Sequence, residues 1–412
     1  MRPPLNSRFL FLSATILASS LLYPATSIAQ VFTDLRGANL GSVAGVASTS
    51  EGAVIIGNSL LPDSMPTIRW TKSTGSVPIN LPVLSPLEFR VEDISADGTV
   101  LAGRGSGEAE PNRPSAYRWT SSGGFQELTT NIRDTTFSVR TRVSDDGSVV
   151  TGFGASAGFR WQQETGTVLI GAKLNDSDIP GPDNQFFFAN DPSSNGSVIA
   201  GMNTLNPLEP GEAARWTAAT GAVGLGLHFP NGEYDFSTAT SISGDGSIIA
   251  GTGFNESDGS LASSQAFRWT EETGIVQLVP LVDGPGDVKP TFATAMSADG
   301  SLIVGGIGLY AFDSEPFVWT PGSGMQLLVD LLTNEYGIGD DIAGWNLGQI
   351  TALSSDGRYI VGQGTAPNNE RAEWLIDLGA NFTPVPEPET YGLIGALGLF
   401  IAVVARRRRS GA

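Results

Sequence analysis

The chain of 412 residues has no cysteine and a single histidine, His228. Without cysteine there is neither a disulfide framework nor a thiolate metal site. One histidine cannot build a two-histidine metal site, and in a glycine-rich stretch it reads as a bystander. A Ser-His-Asp triad would have to rest on His228, and no Gly-x-Ser-x-Gly elbow accompanies it. Basic side chains are also scarce, 23 against 42 acidic ones, for a formal charge of −19. Arg2, Arg8, Arg406, Arg407, Arg408 and Arg409 lie at the two ends, as does Glu389, so residues 30–388 hold 17 basic and 41 acidic side chains. Such a body has no electrostatic footprint for nucleic acid or anionic lipid. No segment of it carries sustained helical spacing.

Glycine is abundant, at 52 residues, yet 40% of the chain is hydrophobic. That pairing suits frequent turns around a core better than disorder. The turns are periodic. Ile242-Ser243-Gly244-Asp245-Gly246-Ser247-Ile248-Ile249-Ala250-Gly251 recurs at Ile94–Gly103, Val143–Gly152, Pro192–Gly201, Met296–Gly305 and Leu353–Gly362, with a weaker copy at Ser48–Gly57. The turn glycines stand 46 to 57 residues apart. An aromatic element follows each one, and its tryptophans are Trp70, Trp119, Trp161, Trp216, Trp269, Trp319 and Trp374.

Each unit reads as two hairpins. The first turns at Ser-x-Asp-Gly, where Asp-Gly tolerates positive φ and the serine bonds nearby backbone. The second turns at Thr-x-x-Thr-Gly, a type I turn closed by a glycine bulge. Four short strands per unit of about 50 residues is the pattern of propeller blades. The expectation is an all-β fold, a seven-bladed β-propeller over residues 30–380. The seventh unit runs Trp374-Leu375-Ile376-Asp377-Leu378 without the second turn, while Val31-Phe32-Thr33-Asp34-Leu35 precedes the first unit as an orphan strand. Residues 31–36 are therefore expected to complete the last blade and close the ring, which would protect the terminal edges. Gln265-Ala266-Phe267-Arg268-Trp269-Thr270 and Ser115-Ala116-Tyr117-Arg118-Trp119-Thr120 resemble the HAF repeat of bacterial extracellular proteins, although no histidine precedes Ala-Phe here. The Ser-x-Asp-Gly-x-x-Ile element also resembles TolB-type propeller repeats. The HAF resemblance implies an extracellular repeat protein without an assigned activity.

The ends read as addresses. Arg2 and Arg8 precede the apolar run Phe9–Leu22, and Ser27-Ile28-Ala29 supplies small residues for cleavage. Residues 1–29 are expected to be a secretory signal peptide. At the other end, residues 381–390 form a proline-rich hinge containing Pro386-Glu387-Pro388. Residues 391–405 are apolar or small, and residues 406–412 carry the arginine run. Fifteen residues rise roughly 22 Å as a helix, short of the ~30 Å hydrocarbon core, which suits a transient transmembrane segment. The arginines stay cytoplasmic by the positive-inside rule. Motif, apolar segment and basic end resemble the PEP-CTERM sorting signal. The resemblance implies an exosortase partner cutting near Pro386 to Pro388 in a Gram-negative envelope, a final home at or beyond the outer surface, and a possible exopolysaccharide ligand.

Candidate sites divide into turn chemistry and loops. Asp97, Asp146, Asp245, Asp299 and Asp356 recur at one turn, so they read as structural and not as calcium ligands, which need several oxygens at alternating positions. Asp176/Asp178 and Asp340/Asp341 come nearest to such a loop. The recurrent arginine before tryptophan reads as a packing residue whose charge meets an acidic neighbour or the indole. Two longer stretches, Asn175–Ala189 with Phe186-Phe187-Phe188 and Asn334–Leu347 with Trp345, either stack sugar rings or cap blades. The functional expectation is a binding or structural module without cofactor or metal. The alternative is an enzyme acting on extracellular polysaccharide through paired carboxylates, for which the mark would be two acids facing the channel with room for a sugar.

Overall fold

A computed structural model describes residues 31–59, 67–79, 89–106, 114–128, 140–154, 158–171, 186–204, 211–226, 228–229, 232–233, 236–254, 264–278, 289–308 and 314–379. The signal peptide and the entire tail from residue 380, including Pro386, Glu387, Pro388 and the arginine run, lie outside them. Among the described residues no helix is long and apolar enough to cross a membrane.

Seven four-stranded antiparallel sheets succeed one another along the chain, each paired in sequence order from an inner to an outer strand. Blade 5 is typical: Phe236–Ile242, Ile248–Phe254, Gln265–Thr270 and Gly274–Gln277. The seventh sheet departs from this order. It contains Asn346–Leu353, Tyr359–Thr365 and Arg371–Asp377, and its outer strand is Phe32–Asp34 from the other end of the chain. The expected closure of the ring is therefore present, with Phe32 opposite Ile376 and Asp34 opposite Trp374.

A second-strand glycine explains why two distant motifs recur together. Gly251 pairs with Phe267, and Gly305 with Phe317. A Cβ on either glycine would run into that ring and into the inner-strand carbonyl of Thr238 or Phe292. The glycine is thus the seat of the third-strand aromatic, and both rings are fully buried. Blade 7 departs from the register inferred from its sequence. Trp374 pairs with Gly362, the position Phe267 holds in blade 5, while Ile376 takes the position of Trp269. The indole is fully buried and donates Nε1–H to the Leu347 carbonyl at 2.7 Å.

The fold is nearly all β, with one exception unforeseen from sequence. Leu328–Asn334 forms a two-turn helix after blade 6, burying Leu328, Leu331 and Leu332. These join Val31, Phe32, Ile338, Ile342, Trp374 and Leu378 in one cluster. Tyr336 adds a hydrogen bond from its hydroxyl to the Leu378 carbonyl at 3.1 Å. The helix and its following turns therefore clamp the seam where the two ends of the ring meet. Phe32 is 8% exposed and meets Trp345 edge-on at 5.1 Å. Phe32→Ala is expected to cost about 3 kcal/mol, as large-to-small core changes do. Urea denaturation measures this, and a loss under about 0.5 kcal/mol, the scatter of surface substitutions, would show that the seam contributes little.

Candidate functional site

The Ser-x-Asp-Gly turns are closed hydrogen-bond systems. In blade 5 the Asp245 carboxylate accepts from Ser243 Oγ at 2.7 Å, from the Ser247 amide at 2.9 Å and from Ser247 Oγ at 2.7 Å. Ser243 Oγ in turn accepts from the Ile248 amide at 2.9 Å. Asp97, Asp146 and Asp299 repeat this network, and Asp356 repeats it with the Arg358 amide. In blade 4 Asn195 replaces the aspartate. These donors hold the carboxyls of Asp97, Asp146, Asp245 and Asp299 below the usual aspartate value, against partial burial. Among the described residues no group of three or more His, Cys, Asp or Glu side chains is placed to hold a metal. Asp340 and Asp341 are exposed in turns after the helix, while Asp176 and Asp178 lie outside the described residues.

The residue between serine and aspartate bonds across blades. The Ala96 amide donates to the Asp145 carbonyl at 3.1 Å, Ser194 to Gly244 at 3.0 Å, Gly244 to Ala298 at 2.7 Å, and Ala298 to Ser355 at 2.7 Å. The recurrent arginines also reach forward. Arg118, Arg160 and Arg215 donate to the carbonyls of Gly147, Gly196 and Gly246 in the next blade. Arg118 and Arg268 lie over Trp161 and Trp319 of the next blade, at 5.6 and 5.9 Å. The partner is thus a neighbouring turn or indole for these arginines, and an acidic group for Arg69, which meets Glu51 at 3.0 Å.

The inner strands of all seven blades surround a central cavity of about 150 Å³. Register shifts in six of these strands, as between Val91 and Asp93 or Ala189 and Asp191, re-aim side chains there. Asp93, Arg142 and Asp191, from consecutive blades 2, 3 and 4, face it together with Asp145. Sequence reasoning missed this group, because no one residue type recurs at the position around the ring. The Asp93 carboxylate accepts from its neighbour Ile94 N–H and from Val143 N–H of the next blade, both at 2.9 Å. Asp191 Oδ2 accepts from Ser241 Oγ and Ile242 N–H of the next blade, both at 3.0 Å. Arg142 donates to the Glu92 and Thr141 carbonyls at 3.2 and 3.1 Å. Burial pushes Asp93 up to about 6, moderated by Arg142 and the two amides. Burial and then the Asp93 charge push Asp191 up to about 7, against Arg142 and its own donors. Part of each side chain still faces the cavity.

The loop aromatics belong to the fold. Phe186–Pro192 is the inner strand of blade 4, with Phe187 fully buried and Phe188 edge-on to Phe153 at 5.3 Å. Trp345 packs on Phe32 and lies under the Arg36 guanidinium at 5.7 Å. The described part of each stretch, 186–189 and 334–347, therefore caps or builds blades, while residues 175–185 lie outside the described residues. His228 stands in the two-residue strand His228–Phe229, paired with Gly232–Glu233, and its side chain lies outside the described ones.

Because Asp93 and Asp191 are raised above the unfolded value near ~3.9, folding takes up protons at these positions. Their contribution to stability is fully present below about pH 4 and is lost as pH rises through the folded values. Asp191→Asn keeps an oxygen for both donors and removes the ionisation. It is expected to melt a few degrees above the native chain at pH 8, with the gap narrowing as pH falls and closing by about pH 4. Melting curves across that range test this, and a pH-independent gap would overturn it. Since the turn aspartates are satisfied by serine and backbone donors, excess EDTA is expected to leave the melting temperature unchanged. A chelator-induced drop would point to a metal there.

No protein-family model and no curated protein sequence matches the chain. Among solved structures, it is similar to the β-propeller domain of the Trilobed protease from Pyrococcus furiosus. The TM-score is 0.50 at 8% identity, over 83% of this chain and 99% of that one. That propeller is described as having an open velcro topology, whereas here the ends of the ring are joined by pairing. The chain is also similar to Kuenenia stuttgartiensis hydrazine synthase, with a TM-score of 0.46 at 12% identity, over 82% of this chain and 96% of that one. What the first likeness carries is the fold: the chain is a seven-bladed β-propeller.

Proposed function

We propose that the chain is an exported, non-enzymatic binding or structural propeller, sorted to the cell surface by an exosortase-type system, with a polysaccharide as its ligand. Three features support it: the signal-peptide pattern with Ser27 and Ala29, the Pro386-Glu387-Pro388 motif with its apolar segment, and the arginine run to Arg409. The closed ring suits a body released outside the cell, since no long terminal edge is left to pair with other chains.

The observation that carries the non-enzymatic part is the size and state of the channel. Two acids do face it, Asp93 and Asp191, but the cavity is about 150 Å³. Pockets for small molecules run ≈ 300–1,000 Å³. Both carboxylates are also tied to amides of the following blade. A glycosidase pair needs one acid free to protonate a leaving oxygen and one free to act as base or nucleophile. These two are engaged in holding the ring.

Intact mass of the protein from native envelope and medium tests the sorting. Loss of both terminal segments is expected in the native form. With Pro386→Ala, Glu387→Ala and Pro388→Ala together, the C-terminal loss is expected to disappear. A full-length tail in both forms would make the segment a plain membrane anchor.

A further inference from the structure

We propose that the cleft between blades 4 and 5 is a subsite for an uncharged or amino-bearing saccharide chain; this rests on the polysaccharide reading above and gives it a place and a charge preference. The cleft has a volume of about 500 Å³, within the range of small-molecule sites. It is lined by Arg215 from blade 4 and, from blade 5, by Arg268, Trp269, the Asp245–Ile248 turn and Thr270–Thr273.

Its groups are held in place but not used up. Arg215 anchors Nε on the Gly246 carbonyl at 3.3 Å, and its terminal nitrogens make no hydrogen bond among the described residues. The Trp269 indole is half-buried, with one part packed on the core of blades 4 and 5. Glu271 and Glu272 are exposed at the rim and form neither ion pair nor side-chain hydrogen bond among the described residues. Their turn is braced by the hydroxyls of Thr270 and Thr273, 2.8 Å apart.

That set matches a sugar. An indole offers an apolar face to ring C–H groups beside a polar edge. Sugar hydroxyls both donate and accept, so they can meet guanidinium donors on one wall and carboxylate acceptors at the rim. The lining holds one more carboxylate than guanidinium, on a chain of net charge −19. A polyuronate or sulfated glycan would therefore be repelled, while a neutral or amino sugar would not.

Blade 4 supplies an internal control. Its equivalent turn is Thr217-Ala218-Ala219-Thr220-Gly221, with the same threonine pair at 2.7 Å. Glu271→Ala with Glu272→Ala thus copies a turn this chain already folds, and the melting temperature should not change. The experiment is calorimetric titration of the full chain with cellohexaose, a chitosan hexamer and an alginate hexamer, repeated on that double variant and on Trp269→Phe. The native chain is expected to bind cellohexaose or the chitosan hexamer and not alginate. Each variant should weaken that binding by about tenfold, the equivalent of one good contact. Native binding that neither variant weakens would overturn the cleft while leaving the polysaccharide reading in place. Binding of alginate alone would overturn the charge preference. A native chain that binds none of the three hexamers, and none of the crude polysaccharide from its own culture medium, would overturn both readings.

Discussion

The ring depends on how the inner hairpin turns satisfy their own polar groups. Seven sheets converge on an axis, and backbone amides and carbonyls near that axis have little water to meet. Serine and aspartate solve half of the problem by bonding each other and the following amides within the turn. The residue between them then directs its backbone to the next blade, as Gly244 does to Ala298 and Ala298 to Ser355. Backbone carries most of the ties at that middle position, with one side-chain addition from Ser194 Oγ to the Asp145 carboxylate, so alanine, aspartate, serine and glycine all occur there: Ala96, Asp145, Ser194, Gly244. The motif is conspicuous because a side-chain requirement inside each turn serves a backbone requirement between turns.

That division explains what was legible in the sequence. The turns were readable because Asp-Gly and Thr-x-x-Thr-Gly are local demands, met or failed within five residues. Ring closure was readable because one strand was missing at Leu378 and a spare one stood at Phe32. The register of blade 7 was not. A slip of two residues keeps every side chain on its own face, so Trp374 in place of the usual phenylalanine leaves alternation intact. The short helix Leu328–Asn334 spans too few turns for an apolar period to emerge, and Gly224 with Leu225 follows the same outer-strand position in blade 4 without one. The channel acids were hidden for another reason. Repeat reasoning looks for sameness, and their position reads Gly45, Asp93, Arg142, Asp191, Ser241, Ala295, Ala352 around the ring.

The same list shows that the axis is built with two unlike walls. Blades 2 to 4 present two carboxylates flanking a guanidinium, and blades 5 to 7 present a hydroxyl and two methyl groups. Small side chains opposite large polar ones leave the cavity open. Burial raises both acids and outweighs Arg142, which favours their ionised forms; the Asp93 charge adds to the rise at Asp191, and the Asp145 charge adds to it at Asp93. A carboxyl in that position holds the next blade by accepting its amide, whether or not it carries a proton. Ser241 does the same from blade 5, accepting the Met296 amide at 3.2 Å. Charge at the axis is therefore incidental to the tie, and the chemistry of the group is subordinate to its oxygen.

If the axis is occupied by structural obligations, variation has to be sought at the second hairpin turn. Its frame is set by a hydroxyl pair, Thr217 with Thr220, Thr270 with Thr273, Thr320 with Ser323. Between those hydroxyls the residues are Ala218-Ala219, Glu271-Glu272 and Pro321-Gly322. Apolar, acidic and rigid pairs all fit one backbone, so the two central residues are uncoupled from the fold. They lie beside the junction where an arginine of one blade meets the indole of the next, and at blades 4 and 5 acidic pair, arginine and indole line one cleft. A propeller whose stability is held at the axis and whose freely varied side chains stand over the blade junctions can change what it binds without changing how it folds.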